Sequence, residues 1–177
     1  LAAIFFSWLG DVFLMFQHVN ERWFLAGLGA FLVAQIMYVM VYARYRHAGP
    51  VRSRPVIRVI LYTVLVVYAM VLWSKLYPVL NGFLLPVTLY TLAILTMTLM
   101  AAARLGRTTS RSFVLVLAGS VLFLLSDSMI AINKFLQPLQ AERILVMSTY
   151  ITGQFLIVRG LVIHLKGSRQ HALPGDG

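Results

Sequence analysis

Cysteine is absent from the chain, which excludes disulfides, thiolate nucleophiles and cysteine-held metals. Charge is scarce as well. Asp, Glu, Lys and Arg make up 11% of the residues, where a soluble domain carries about 25%. Acids are the rarest, five against fifteen Lys and Arg in 177 residues. So little polar surface cannot coat a water-soluble globule, and lipid is the expected solvent for most of the chain. The four histidines, His18, His47, His164 and His171, fall at helix ends, in loops or in the tail. A His-ligated zinc or a Ser-His-Asp triad therefore has no base inside the apolar runs. The chain contains no G-x-S-x-G elbow and no phosphate-cradling glycine loop.

What is present is apolar: 60% of the residues are hydrophobic and the mean hydropathy is +0.86. The apolar residues gather into six runs, at 1–17, 24–43, 56–74, 84–103, 113–133 and 143–165. A helix that crosses a bilayer needs about 20 such residues. In lipid the backbone must satisfy its own hydrogen bonds, which leaves helices or closed barrels. These runs are too long and too uniformly apolar for barrel strands. The expected fold is therefore all-α, a polytopic transmembrane bundle of six helices. It forms one domain over 1–166, followed by a disordered cytoplasmic tail over 167–177. Because the chain opens at Leu1, inside an apolar run and without Met, upstream sequence is expected. Pro55 suits the first turn of the third helix. The segment LYPVLNGFLLP at 76–86 reads as a loop or as the kinked start of the fourth helix.

The net charge of +10 is explained by topology rather than by nucleic acid, because the basic residues cluster in short loops. Arg44, Arg46, Arg52, Arg54, Arg58, Arg104, Arg107, Arg111, Lys166 and Arg169 fall on one side, and Arg22, Lys75, Lys134 and Arg143 on the other. The positive-inside rule makes the first side cytoplasmic, with the C-terminus on it. Trp23 and Trp73 then lie at outer helix ends, where an interfacial aromatic belt is expected.

Three of the five acids, Glu21, Glu142 and Asp176, lie in loops or the tail. Asp11 and Asp127 sit inside apolar runs, where a charge at mid-bilayer costs about 2.5–3.5 kcal/mol on insertion scales. At 1.5 Å per residue both fall about 9–10 Å below the outer boundary, so they can share one layer of the bundle. Tyr90 and Tyr150 come within about a turn of that depth, and Gln35, Tyr38 and Gln154 lie deeper. Ser7, Ser126 and Ser128 are expected to bond back to the preceding turn, with Ser126 beside the acid as a supporting group. Gly10, Gly119 and Gly153 are expected to permit close helix contact. Lys75, Lys134 and Arg143 are placed at the outer rim, as interfacial anchors or phosphate contacts.

The motifs then resemble a known family. FS-x-x-GD-x-x-L appears as Phe6, Ser7, Gly10, Asp11 and Leu14, and G-x-x-x-F-x-x-SD as Gly119, Phe123, Ser126 and Asp127. GAFLVAQIMY (29–38), LLPVTLY (84–90) and TGQFLIVRG (152–160) follow in register. Their order and spacing are similar to those of the YhhN-like lysoplasmalogenases across nearly the whole chain. The resemblance implies a membrane hydrolase that cleaves the vinyl ether of lysoplasmalogens, releasing fatty aldehyde and a glycerophospho-choline or -ethanolamine. It implies eight helices in a complete member, and maps the two functional aspartates onto Asp11 and Asp127. Many members carry His where this chain has Gln35.

Vinyl ethers hydrolyse by acid catalysis, which needs one protonated acid and one carboxylate. Two carboxyls sharing a proton in a low dielectric meet that need. On this reading Asp11 and Asp127 are catalytic, and Tyr90, Tyr150, Gln35, Tyr38, Gln154 and Ser126 hold substrate or support the acids. A lysophospholipid and membrane lipid are the partners, with no metal, cofactor or nucleic acid. Intramembrane acids also mark ion pathways, so a proton-coupled transporter is the alternative, as is a non-catalytic lipid-binding protein with structural aspartates.

Overall fold

A computed structural model describes residues 2–44 and 54–170, the last four by backbone alone. Among the described residues the chain forms six α-helices and no strand: α1 (Ala2–Met15), α2 (Glu21–Arg44), α3 (Pro55–Leu76), α4 (Leu84–Ala102), α5 (Ser110–Phe135) and α6 (Glu142–Gln170). Five are long and apolar enough to cross a membrane, and α1 is a shorter apolar helix. The chain is an integral, multi-pass helical bundle.

The helix ends follow local chemistry. Pro55 opens α3, where its missing N–H has no intrahelical partner to lose. The Thr109 side chain caps α5 by accepting from the Ser112 N–H at 3.3 Å. Between α3 and α4 the two-proline segment forms two 3-10 turns, Tyr77–Val79 and Asn81–Phe83, with Asn81 left-handed at φ 41°. Of the two expected forms, the loop is the one found. Leu80, between those turns, is fully buried and pins the connection to the bundle. The polar tail expected from Gly167 begins differently, because α6 continues to Gln170. No proline interrupts the chain there until Pro174, and an existing helix extends at low cost. Arg46, Arg52 and residues 171–177 lie outside the described residues.

The surface is apolar in the manner lipid requires. α3 is largely unburied along its length, and Val59, Val64, Val67 and Met70 face outward. In water such a face would drive association; against acyl chains it costs nothing. Helix packing in lipid depends on close approach of small residues rather than on hydrophobic expulsion. The α5–α6 seam is built that way. A Cβ at Gly119 would meet the Gly153 carbonyl at 2.6 Å, and one at Gly160 would meet the Val116 side chain at 2.7 Å. Gly10 lies against the Phe31 ring, where a Cβ would come within 2.5 Å.

Arg104 departs from the loop-charge reading, for it is fully buried. Its Nη2 donates to Ser112 Oγ at 2.9 Å, and its guanidinium lies 5.7 Å from the Tyr42 ring centre. Ser112 Oγ in turn donates to the Gly160 carbonyl at 2.8 Å, and the Tyr42 and Ser120 hydroxyls share a bond of 3.0 Å. The α4–α5 connection turns tightly through Gly106 at φ 72°, which keeps Arg104 under the bundle instead of carrying it outward. One side chain thus ties the end of α4 to α2, α5 and α6. Arg104→Ala empties that volume and is expected to cost about 2–5 kcal/mol, whereas Arg104→Met refills it. Thermal unfolding in detergent checks this: an alanine variant as stable as wild type contradicts the tie.

Candidate active site

α1, α2, α5 and α6 surround a partly open cavity of about 500 Å³. Asp11 comes from α1, Asp127 and Ser126 from α5, Tyr150 from α6, and Phe31 from α2. The two aspartates thus line one cavity. Asp11 lies four residues before the end of α1 and Asp127 eight before the end of α5, so α1 stops sooner beyond its acid than α5 does.

Asp127 is buried and held from two sides. The Tyr90 hydroxyl on α4 donates to its Oδ2 at 2.5 Å, and Gln35 Nε2 on α2 donates to the same oxygen at 3.4 Å. Oδ1 has no donor among the described residues. The Gln35 amide thus presents to the carboxylate the kind of N–H that an imidazole at this position offers. Asp11 is half-buried and faces the Tyr150 hydroxyl. One layer deeper the Tyr38 hydroxyl donates to Gln154 Oε1, and Gln154 Nε2 donates to Ser7 Oγ at 2.9 Å. Tyr38, Gln35 and Gln154 do not line the cavity; they stand behind its wall, Gln35 on Asp127 and Gln154 between Tyr38 and Ser7. The phenyl groups of Phe31 and Phe123 pack edge-on against the Tyr150 ring, at 5.9 and 5.5 Å between centres, and fix its orientation.

Two serines sit differently from the sequence expectation. Ser126 Oγ donates across the seam to the Val146 carbonyl at 3.1 Å instead of back along α5, because α6 approaches closely over the glycines. Ser7 accepts from Gln154 rather than bonding its own helix; Ser128 does bond back, to the Leu124 carbonyl at 2.7 Å. Of the two roles expected at the outer rim, Lys134 fits the anchor. Its Nζ lies 4.4 Å from the Phe24 ring centre and near the Phe83 and Phe135 rings, an interfacial anchor by cation–π attraction.

Beside the acids the cavity is lined by Gln17, His18, Glu142 and Arg143; Arg143 is the one expected at the outer rim, and His18 joins it from the turn after α1. After Met15 the chain turns through bonds from Gln17 N to Leu14 O and Val19 N to Phe16 O, which folds His18 back over the cavity. The signal was present as spacing: Asp11, Leu14 and His18, and Glu142, Val146 and Tyr150, follow the i, i+3/i+4, i+7/i+8 rows of a helix face. Of the four acids among the described residues, three line this cavity, so a strongly basic chain presents its negative charge in one place. Among the described residues His, Asp and Glu form no cluster of three able to ligate a metal ion.

Fold and site together define a multi-pass membrane protein that holds two carboxylates on the wall of one cavity. The chain belongs to the YhhN family, whose model matches residues 1–161. It is 35% identical over 155 residues to lysoplasmalogenase TMEM86B of Sus scrofa, covering 88% of this chain and 59% of that protein. It is 31% identical over 166 residues to lysoplasmalogenase TMEM86A of Homo sapiens, covering 90% of this chain and 63% of that protein. The chain thus spans about three fifths of the length of these curated relatives. No solved structure matches it.

Proposed function

We propose that this chain carries the active site of a membrane hydrolase that cleaves the vinyl ether of lysoplasmalogens, with Asp11 and Asp127 as its acid–base pair. One observation carries the reading: carboxylates from α1 and α5 line a single cavity beneath a rim of mixed charge. The activity for which its relatives are named, lysoplasmalogenase, supports it.

In this reaction one aspartic acid donates its proton to the alkene carbon farther from the ether oxygen, and the carbon bonded to that oxygen becomes an oxocarbenium ion. The other aspartate, ionised, stabilises the cation and orients water. Water adds to the cationic carbon and loses a proton to the carboxylate pair. The hemiacetal then collapses: its hydroxyl proton is lost, the bond to the glycerol oxygen breaks, and that oxygen takes up a proton. Fatty aldehyde and glycerophospho-base leave, and the pair ends with one proton, as it began. Tyr90 and Gln35 hold Asp127 in place, Tyr150 holds Asp11, and the Tyr38–Gln154–Ser7 chain supports Tyr150 from below. Arg143 at the mouth is positioned to meet the lipid phosphate. The basic ends of α3 and α4 face the cytoplasm, the C-terminus lies on that side, and the cavity mouth faces the opposite leaflet.

Full-length protein in lipid is incubated with a lysoplasmalogen and with the ester lysolipid of the same head group, and aldehyde is followed by mass spectrometry. Aldehyde from the vinyl ether, with no fatty acid from the ester, is the expected result. Cleavage of the ester alone, or proton flux in liposomes without aldehyde, refutes the reading.

A further inference from the structure

A second, smaller cavity of about 60 Å³ lies between α2, α3, α4 and α5. Leu14, Phe31, Asp127 and Ile130 line both spaces, so Asp127 stands in the partition between them. The two spaces differ in character. The larger ends in His18, Glu142 and Arg143, whereas the smaller is walled by Ala69, Leu72, Val87, Ile94 and Leu124. Apart from Asp127, its polar wall atoms are the hydroxyls of Tyr68, Tyr90, Thr91 and Ser128; three of these are already engaged, Tyr90 with Asp127, Thr91 with the Val87 carbonyl and Ser128 with the Leu124 carbonyl.

The geometry points to this chamber as the subsite for the first carbons of the alkenyl chain, with Ala69 and Leu72 on α3 setting what fits. The assignment rests on the hydrolase reading above. A lysolipid with its head group in the charged vestibule must send its chain past the carboxylates. The apolar space that Asp127 also borders is this chamber. Its size limits the claim. A water-sized group needs about 10–15 Å³ by the same measure, so the chamber takes roughly four to six carbon-sized groups and not a whole chain. The remaining carbons continue toward the lipid-facing side of α3. The site should therefore respond to the shape of the chain beside the vinyl bond and disregard its total length.

The test compares kcat/KM of the full-length protein for hexadecenyl and octadecenyl lysoplasmalogens and for an analogue with a methyl branch within about four carbons of the vinyl bond. The two straight chains are expected to agree within about twofold. The branched analogue should fall at least about tenfold, the scale of one misplaced methyl in a hydrophobic pocket. Leu72→Ala should restore the branched substrate relative to the straight one by about fivefold or more, a gain that misfolding cannot produce. Ala69→Phe should lower turnover of the straight chains by about tenfold and spare a substrate whose chain ends before the chamber. Equal turnover of branched and straight substrates by wild type, or an unchanged ratio in Leu72→Ala, overturns the chamber assignment while leaving the hydrolase reading intact. Aldehyde from no vinyl ether at all overturns the hydrolase reading itself.

Discussion

Asp127→Asn and Asp11→Asn are each expected to lower aldehyde release by about 10²–10⁴-fold, the usual contribution of a positioned proton donor or acceptor, in a protein that still folds. The amide keeps the size of the carboxyl and its ability to accept. At Asp127 the Tyr90 hydroxyl and the Gln35 amide both donate to Oδ2, and an asparagine carbonyl in that place accepts the same two bonds. At Asp11 the Tyr150 hydroxyl can donate to a carbonyl equally well. What an amide cannot do is deliver a proton to carbon or take one from water. Loss of turnover with an unchanged melting temperature is therefore the signature of chemistry, and loss of stability with unchanged turnover is that of a structural acid. The double variant should be no worse than the poorer single one, because groups that act as a unit are not additive. Aldehyde release at the wild-type rate from either single variant removes the carboxylates from the mechanism.

The parts of this site legible in the sequence are those that violate a local rule. A carboxylate inside an apolar run is expensive enough to stand out, so Asp11 and Asp127 are visible without coordinates, and loop charges mark the helix ends to within a few residues. The groups that went unread obey local rules and acquire their roles only through packing. His18 looks like an ordinary residue beyond a helix end until the turn after Met15 folds it over the cavity. Arg104 looks like one more loop charge until the tight turn at Gly106 draws it beneath the bundle. Ser7 and Ser126 have a helix carbonyl within reach, yet both pair with α6, Ser126 because the glycine seam brings that helix close to α5. The small chamber has no sequence signal, since Ala69, Leu72 and Val87 are unremarkable apolar residues on separate helices. Only the packing of α2, α3, α4 and α5 brings them to one space.

That seam supplies the other large effect. Gly119 and Gly153 face one another so closely that a Cβ on the first would sit 2.6 Å from the carbonyl oxygen of the second, and a Cβ on the second 2.9 Å from that of the first. Both obstacles are backbone, which cannot rotate away, so the helices themselves must part. α5 carries Asp127 and Ser126, and α6 carries Tyr150 and Gln154, so parting them separates the acids from their supports. Gly119→Ala is expected to destabilise by about 1–3 kcal/mol, the usual cost of overpacking, and to reduce turnover with it. Gly119→Leu should yield little monodisperse protein. Gly29 is the control, because a Cβ there meets nothing within 4 Å. In lipid the helix forms with or without that methyl, so Gly29→Ala should remain within about 0.5 kcal/mol of wild type. The same atom is added in both alanine variants, and only the distance to the facing backbone differs. Parallel melts of Gly119→Ala and Gly29→Ala therefore isolate helix contact as the cause, and coincident curves would show that α5 and α6 are not held by this approach.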